Sequence, residues 1–269
     1  MDKRPIGIFD SGIGGLTVAK EIFKHLPYED VVYFGDTARV PYGSKSPETV
    51  RKFSANNVNF LITQKVKVVI IACNTASATS IAFLRKNYPN TPIIGVIKPA
   101  VELAMICSAK KKIGVIATES TILSLAYQKE IKNLVPSVSV YGQPCPLFVP
   151  LVEEGWLDKE ETYMIAQKYL KPLKSKDIDT LILGCTHYPL LKTIIKKVMG
   201  KNVAIIDSAG VIAQECEKVL KEKALSNSKT RVGWHKFFVS DNPERFKKVG
   251  EKFLNTKIEK VEKIEIEKF

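Results

Sequence analysis

The chain has 269 residues and is 45% hydrophobic, enough for one large domain or two modest ones around a real core. Its 41 Lys and Arg against 28 Asp and Glu give a net charge of +13, which is compatible with nucleic acid, an acidic membrane surface or anionic small molecules. The lysines alternate with glutamates, as in residues 257–263, and no nucleic-acid-binding signature interrupts the pattern. A solvated basic surface is the simpler interpretation, and nucleic acid is an unlikely partner.

Targeting segments are not predicted. Residues 6–9 form the only apolar run near the N-terminus, too short for a secretory signal. No apolar run reaches the roughly 20 residues that a membrane helix requires. We therefore expect a cytoplasmic protein that is not associated with a membrane. The cysteines are odd in number and widely spaced, which favours reduced thiols over a disulfide scaffold.

Short β-branched runs alternate with amphipathic helical segments along the first part of the chain. The predicted strands are residues 6–9, 31–34, 68–72 and 93–97. A helix is predicted over residues 16–25, and Ser46 and Pro47 predict the cap and first position of the next helix. This alternation is typical of an α/β fold in which helices cover a parallel sheet.

The same order starts again further along the chain. Residues 6–11 match residues 113–118, and residues 31–35 match residues 138–142. The two strands that end in a cysteine follow in the same order. We infer two similar, doubly wound parallel-sheet domains related by pseudo-twofold symmetry, with the active site between them.

Two crossings between the domains are expected. The first lies near residues 97–100, where Pro99 would stop a strand, and the second lies near residues 207–210. The C-terminal tail contains an apolar run at residues 237–239 and an alternating edge strand at residues 264–266. From its pattern, this tail could complete either domain.

Cys73 and Cys185 occupy matching places, each at the end of a predicted strand and before a predicted helix. Ligands of open α/β sheets bind at that edge. The amides and dipole of a helix N-terminus favour a thiolate. A buried core cysteine is the common alternative for one such residue, but two at equivalent strand ends favour a pair of acid/base groups that face one carbon.

Polar residues beside these thiols have two interpretations each. Asp10 ends the first strand, where it could enter the cleft or cap a helix. His187 could shuttle protons, orient Cys185 or simply pack. Residues 10–15 form a glycine-rich loop without the spacing of a dinucleotide or P-loop site. This loop and the hydroxyls at 118–121 would suit a carboxylate equally well.

Metal and cofactor chemistry are the weaker alternatives. Cys185 and His187 lack the usual spacing of a structural zinc site, and Cys73 has no second ligand nearby in the sequence. Lys98 could form a Schiff base with pyridoxal phosphate, but a lone lysine before a proline is more often structural. We expect neither a metal nor a cofactor.

Four blocks of sequence, in order, resemble the bacterial glutamate racemases of the cofactor-independent aspartate/glutamate racemase superfamily. The blocks are residues 9–15, 35–43, 72–77 and 184–189. This resemblance implies an isomerase that interconverts L- and D-glutamate by proton transfer between two cysteines, without metal or cofactor. It further implies a homodimer that supplies D-glutamate for peptidoglycan synthesis.

The resemblance also implies the role of each site residue. Cys73 would act on D-glutamate with support from Asp10, and Cys185 would act on L-glutamate with support from His187 and Glu153. Ser11, Asn74, Thr75 and Thr186 are expected near the amino and α-carboxylate groups, and Tyr42 and Gly43 toward the side-chain carboxylate. Asp10, Pro41 and His187 are also expected to bind the substrate. The implied domains are residues 1–97 plus 208–269, and residues 98–207.

Three other functions are compatible with the residues. The first is a racemase of aspartate or another amino acid, with the same thiols and a different side-chain pocket. The second is a thiol hydrolase that uses Cys185 and His187 and has no role for Cys73. The third is a basic binding protein without catalysis, whose binding to nucleic acid would depend steeply on salt.

Overall fold

The computed structural model describes residues 2–228 and 231–269. Elements up to the start of the second sheet are β1 (Ile6–Asp10), α1 (Leu16–His25), β2 (Val31–Gly35), α2 (Pro47–Thr63), β3 (Val68–Ile71), α3 (Asn74–Asn87), β4 (Ile93–Gly95) and α4 (Ile97–Cys107). The next elements are β5 (Lys112–Ala117), α5 (Glu119–Leu123), α6 (Ala126–Leu134), β6 (Ser139–Pro144), α7 (Phe148–Glu153), α8 (Glu160–Lys174), β7 (Thr180–Gly184), α9 (Lys192–Met199) and β8 (Ala204–Asp207). The chain ends with α10 (Ser208–Glu222), β9 (His235–Val239), α11 (Pro243–Leu254) and β10 (Val261–Lys263).

Within these described ranges the strands form two parallel sheets. The first has the order β10-β9-β2-β1-β3-β4, and the second has the order β6-β5-β7-β8. The segment β2-β1-β3-β4 of the first sheet therefore has the same topology as the whole second sheet. This confirms the predicted α/β class with two similar parallel sheets, and it is the arrangement that an internal duplication would produce.

Local sequence signals set the first helices. Helix α1 has the predicted bounds, and it buries Leu16, Ala19 and Ile22 on the stripe that faces the core. Helix α2 begins after Ser46, whose side-chain oxygen accepts a hydrogen bond from the backbone N–H of Thr49 at 3.2 Å. Pro47 at the first helical position has no N–H to leave unpaired.

One predicted strand is shorter than expected, and another is displaced along the chain. Strand β4 ends at Gly95, and Pro99 lies in the first turn of α4, where a proline costs no helical hydrogen bond. The edge strand expected at residues 264–266 is replaced by β10, which ends at Lys263. Ile266 instead begins a 3-10 turn, and its buried side chain packs in the core beneath α2.

The chain returns to the first sheet after β8. The Asp207 carboxylate accepts a hydrogen bond from the Ala209 N–H at 2.9 Å, which caps α10. Helix α10 then packs against α1 and α4. Strands β9 and β10 extend the first sheet beyond β2, so the tail completes the first sheet. This sheet membership supports the proposed division into residues 1–97 plus 208–269, and residues 98–207.

All five cysteines are free thiols, and Cys107 alone among them is exposed. Across residues 2–228 and 231–269, no helix has the length and apolar character needed to cross a membrane.

A buried ion pair joins segments around the amino edge of the first sheet. The Lys67 ammonium lies 2.5 Å from the Glu29 carboxylate, and both side chains are nearly or fully buried. Lys67 Nζ also donates to the Asp2 carbonyl at 2.9 Å, and Glu29 accepts from the Asn227 N–H at 2.8 Å. The pair therefore connects the N-terminus, the loops before β2 and β3, and the segment after α10.

Replacing Lys67 by methionine should lower the free energy of unfolding by about 3–5 kcal/mol, because Glu29 is left as a buried charge without its counter-ion. Urea unfolding measures this change. The matched control is Lys260→Met, which removes an exposed pair with Glu262 and should cost no more than about 1 kcal/mol. Equal effects of the two substitutions would contradict this role of the buried pair.

Candidate active site

The carboxyl ends of the central strands of both sheets meet at one cleft. Asp10 ends β1 and Cys73 follows β3 in the first sheet, while Thr118 follows β5 and Cys185 follows β7 in the second. Contacts cross the cleft: the hydroxyls of Thr75 and Thr118 lie 2.9 Å apart. The Gly14 backbone, after β1, also lies directly against Thr186 and His187, which follow Cys185. The structure therefore brings the two predicted thiols into one site, at the edge where ligands of such sheets bind.

Cys73 occupies the N-cap position of α3 and is 5% exposed. Burial, then the negative charge of Asp10 and, least, that of Cys185 together raise its pKa to about 12. Hydrogen bonds from the Ala76 N–H and the Ser11 side chain lower the pKa by less. The N–H of the helix start favours the thiolate, as expected, but desolvation of the buried sulfur outweighs it. Burial beside Asp10 therefore favours the protonated form of Cys73.

Asp10 is fully buried beside Cys73. Its Oδ2 accepts a hydrogen bond from the Gly12 N–H at 3.0 Å, whereas its Oδ1 has no hydrogen-bond partner among the described residues. Burial raises the pKa of Asp10, and the positive charge of His187 and nearby backbone N–H groups lower it by less. Gly15, not Asp10, is the N-cap of α1. Asp10 thus stabilises its own turn and enters the cleft with one free oxygen.

The glycines of the β1–α1 loop allow the two halves to approach closely. A Cβ on Gly14 would lie 2.3 Å from the Thr186 hydroxyl and 2.5 Å from the His187 ring. The Thr17 hydroxyl donates to the Thr186 carbonyl at 3.1 Å, which holds the same two loops together. The glycine-rich loop at residues 10–15 therefore contacts the Cys185 segment directly.

Cys185 is 7% exposed and is followed by a different local structure than Cys73. The expected helix does not begin directly after it: a 3-10 turn, Tyr188–Leu191, comes first and α9 begins at Lys192. A helix dipole is therefore less important at this thiol. Instead, His187 Nδ1 lies 3.8 Å from the Cys185 sulfur.

His187 is connected to an acidic residue on its other side. Its Nε2 lies 3.2 Å from Glu153 Oε1, at the end of α7. Burial alone would lower the pKa of His187, but hydrogen bonds to Cys185 and Glu153 and their negative charges outweigh it and raise the pKa to about 10. The ring is therefore protonated at neutral pH, and its positive charge can balance a negative charge on the adjacent sulfur.

A second cation, Arg245, lies beside Glu153, and the sequence alone did not predict this pair. Burial raises the pKa of Glu153, but the hydrogen bond and charge of His187, together with the charge of Arg245, produce a net lowering. Arg245 lies on α11 and places Nη2 3.8 Å from Glu153 Oε2 and 3.3 Å from Glu154 Oε1. An exposed arginine on an amphipathic helix gives no local signal of such a role. Glu153 and Glu154 look alike in the sequence, and only Glu153 contacts His187.

A cluster of three hydroxyls lies at another part of the cleft. Thr75, Thr118 and Thr121 are mutually 2.9 to 3.0 Å apart. A Cβ on Gly43 would lie 2.6 Å from Thr118 Cβ, so the Gly43 backbone lies directly on this cluster. The structure therefore groups the predicted hydroxyls at 118–121 with Thr75 and Gly43.

The side chain of Tyr42 is buried and hydrogen-bonded within the protein. Its hydroxyl donates to the buried Asp36 carboxylate and accepts from the Asn57 side-chain amide at 3.1 Å. Only the main chain of Tyr42 is therefore available on the Gly43 side. Pro41 precedes it after a cis peptide bond and is exposed.

Only one end of the Asn74 side-chain amide has a hydrogen-bond partner among the described residues. Its Oδ1 accepts a hydrogen bond from the Tyr127 hydroxyl at 2.6 Å. Its Nδ2 is buried and has no partner in the part of the chain that the structure describes. A buried donor without an acceptor is costly, so this nitrogen is suited to a ligand oxygen. Tyr127 was not singled out from the sequence.

The side chains suggested for other chemistry lie elsewhere or do not cluster. Among residues 2–228 and 231–269, no group of three or more His, Cys, Asp or Glu side chains is arranged to hold a metal ion. Lys98 is on the surface of α4, 65% exposed, with its ammonium 3.9 Å from the Glu102 carboxylate.

Comparisons with known proteins show the family to which the chain is similar. Residues 14–216 match the family model described as Asp/Glu/Hydantoin racemase. The chain is 47% identical to glutamate racemase of Geobacter metallireducens, over 99% of this chain and 98% of that protein. It is also 47% identical to glutamate racemase of Thermoanaerobacter pseudethanolicus over the whole of both chains.

Solved structures of glutamate racemases also match the whole chain. A crystal structure of glutamate racemase from Francisella tularensis in complex with D-glutamate matches with a TM-score of 0.94 and 42% identity, over 100% of both chains. The matched region includes both thiol segments and the strands that position them. The chain therefore belongs to the Asp/Glu/Hydantoin racemase family of isomerases.

Proposed function

We propose that this chain is a glutamate racemase that interconverts L- and D-glutamate by proton transfer between two cysteines, without a cofactor. The observation that carries the proposal is the placement of Cys73 and Cys185, two buried thiols from equivalent strand ends, in one cleft. The identity of about 47% with curated glutamate racemases supports glutamate over aspartate as the substrate.

In the proposed reaction from L- to D-glutamate, Cys185 acts as the base. Its sulfur is beside the protonated His187 ring, and the thiolate removes the α-proton of the substrate. Cys73, which keeps its proton at neutral pH, delivers that proton to the opposite face of the planar carbanion. The S–H bond of Cys73 breaks as a new Cα–H bond forms. Afterwards Cys185 is a thiol and Cys73 is a thiolate, ready for the reverse reaction.

Unpaired polar atoms in the cleft match the charged groups of an amino acid. Asp10 Oδ1 could accept from the substrate ammonium group, and Asn74 Nδ2 could donate to its α-carboxylate. Charge moves onto that carboxylate as the proton leaves, so a donor there stabilises the transition state more than the substrate. The further contacts that we propose are with Ser11, Thr75, Thr186 and the main chain of Tyr42 and Gly43.

The arrangement of Cys185, His187 and Glu153 also favours a second candidate, a thiol hydrolase. The sulfur, imidazole and carboxylate are in the order of a nucleophilic triad, at 3.8 and 3.2 Å. Such a mechanism would leave Cys73 and Asp10 without a role in the same cleft. The Cys73 variant described below distinguishes the two functions.

The wider role that we propose is the supply of D-glutamate for peptidoglycan synthesis in the cytoplasm, by a homodimer. The full-length similarity to curated bacterial glutamate racemases supports this role. Sedimentation of the purified chain tests the dimer, and a mass of twice 30.0 kDa is the expected result. A purely monomeric species at assay concentration would contradict it.

Replacing either Cys73 or Cys185 by alanine should lower racemisation by at least about 1,000-fold, since one face of the α-carbon loses its acid or base. Circular dichroism of D- and L-glutamate, in reactions without added cofactor, measures the rate in each direction. The matched control is Cys216→Ala, which removes another buried thiol within α10. Full activity of Cys73→Ala would overturn the two-thiol mechanism, and retained hydrolysis by that variant would favour the hydrolase.

The rate constant kcat/KM for L-glutamate should fall above about pH 10, as His187 loses the proton that balances the Cys185 thiolate. Glu153 raises the pKa of His187, so Glu153→Gln should move this decline to lower pH by roughly one unit or more. Rates measured from pH 6 to 11 test the shift. Glu154→Gln is the control, because Glu154 contacts Arg245 and not His187. An unchanged alkaline limb in Glu153→Gln would contradict the role of Glu153.

A further inference from the structure

The hydroxyl of Tyr127 connects the two halves of the molecule at the cleft. Tyr127 lies on α6, beside the second sheet, and it donates to Oδ1 of Asn74, the first residue of α3, at 2.6 Å. Both side chains are almost fully buried. The bond reaches the residue directly after Cys73, although Tyr127 belongs to the half that carries Cys185.

The ring of Tyr127 is also close to the second thiol segment. A Cβ on Gly184, the residue directly before Cys185, would lie 3.1 Å from Tyr127 Cε2. Tyr127 therefore lies behind the cleft, with its ring against one thiol segment and its hydroxyl on the other. Within the described ranges its hydroxyl forms no hydrogen bond with either sulfur; the hydrogen bond that it forms is with Asn74.

This hydroxyl determines which end of the Asn74 amide faces the cleft. Burial raises the pKa of Tyr127, so the phenol keeps its proton and needs an acceptor. In the described part of the chain, the Tyr127 hydroxyl donates that proton to Asn74 Oδ1. With the oxygen held there, the amide nitrogen points away from Tyr127, where it is buried and unpaired. A flipped amide would offer an oxygen to the substrate carboxylate, which would repel it.

We propose that Tyr127 is a positioning residue that holds the Asn74 amide with its nitrogen turned toward the α-carboxylate of the substrate. This inference rests on the proposed function, because it assigns a carboxylate as the occupant of that position. Tyr127 thereby selects for a substrate that presents an anionic or hydrogen-bond-accepting group beside Cys73, and it makes the donor available before the substrate binds.

The test is Tyr127→Phe, which removes the hydroxyl and keeps the ring against Gly184. Without the hydroxyl, Asn74 is no longer held in place to donate to the substrate carboxylate. The value of kcat/KM should therefore fall about 10-fold or more in both directions, the size expected for loss of a hydrogen bond to that charged group. The fall should be larger in kcat than in 1/KM, because the carboxylate gains charge in the transition state. Tyr88→Phe is the matched control: its hydroxyl donates to Asn59 Oδ1, also at 2.6 Å, but outside the cleft. That variant should keep its activity.

A double-mutant cycle distinguishes positioning of Asn74 by Tyr127 from a general loss of structure. If Tyr127 acts through Asn74, Tyr127→Phe should have no further effect on kcat/KM in an Asn74→Ala background. Asn74→Asp keeps an acceptor for Tyr127 but removes the nitrogen, and it should lose at least as much activity as Tyr127→Phe. Thermal unfolding of each variant shows whether it is folded.

The outcomes are distinct. Tyr127→Phe activity within about twofold of the unaltered chain, or additive effects of Tyr127→Phe and Asn74→Ala, would overturn the positioning role alone. Absence of racemisation by the unaltered chain would overturn the proposed function itself. Loss in Tyr127→Phe, no further loss in the Asn74→Ala background, and full activity of Tyr88→Phe are the results that we expect.

Discussion

Removal of ionisable groups from water is the constraint on which the rest of this site depends. Asp10, Cys73, Cys185 and His187 are all buried in one cleft, where an isolated charge is costly. His187 carries the positive charge, held there by Cys185 and Glu153. Cys73 lies on the side of Asp10, where burial and a like charge keep it protonated. The two thiols are therefore chemically unequal, which is what a reaction with one base and one acid requires.

The fold supplies this asymmetry from two similar halves. Strands β3 and β7 occupy equivalent places in sheets of the same order, so each half brings one cysteine to the cleft. The neighbours then differ: α3 begins directly after Cys73, whereas a 3-10 turn follows Cys185 and places His187 beside its sulfur. Gly14 allows the first half to approach that turn. Arg245, from the tail that completes the first sheet, reaches across to Glu153 in the second half.

Local patterns in the sequence predict much of this arrangement. The bounds of α1, the cap of α2, the strand ends at both cysteines and the repeated strand order could be predicted, because they depend on periodicity and on short motifs. The raised pKa of Cys73 could not, since it depends on burial by elements distant in sequence. Arg245 and Tyr127 were missed for the same reason: their partners are far along the chain. The role of Glu153 followed from family resemblance alone.

Isotope transfer at the α-carbon tests the central claim most directly. D-glutamate is incubated with the chain in deuterium oxide, the reaction is stopped at low conversion, and both enantiomers are separated and analysed by mass spectrometry. If two thiols act on opposite faces, the L-glutamate formed carries deuterium from the solvent while the remaining D-glutamate is unlabelled. L-glutamate that retains the original hydrogen, or D-glutamate labelled as fast as the product, would show that one base serves both faces and would contradict the account.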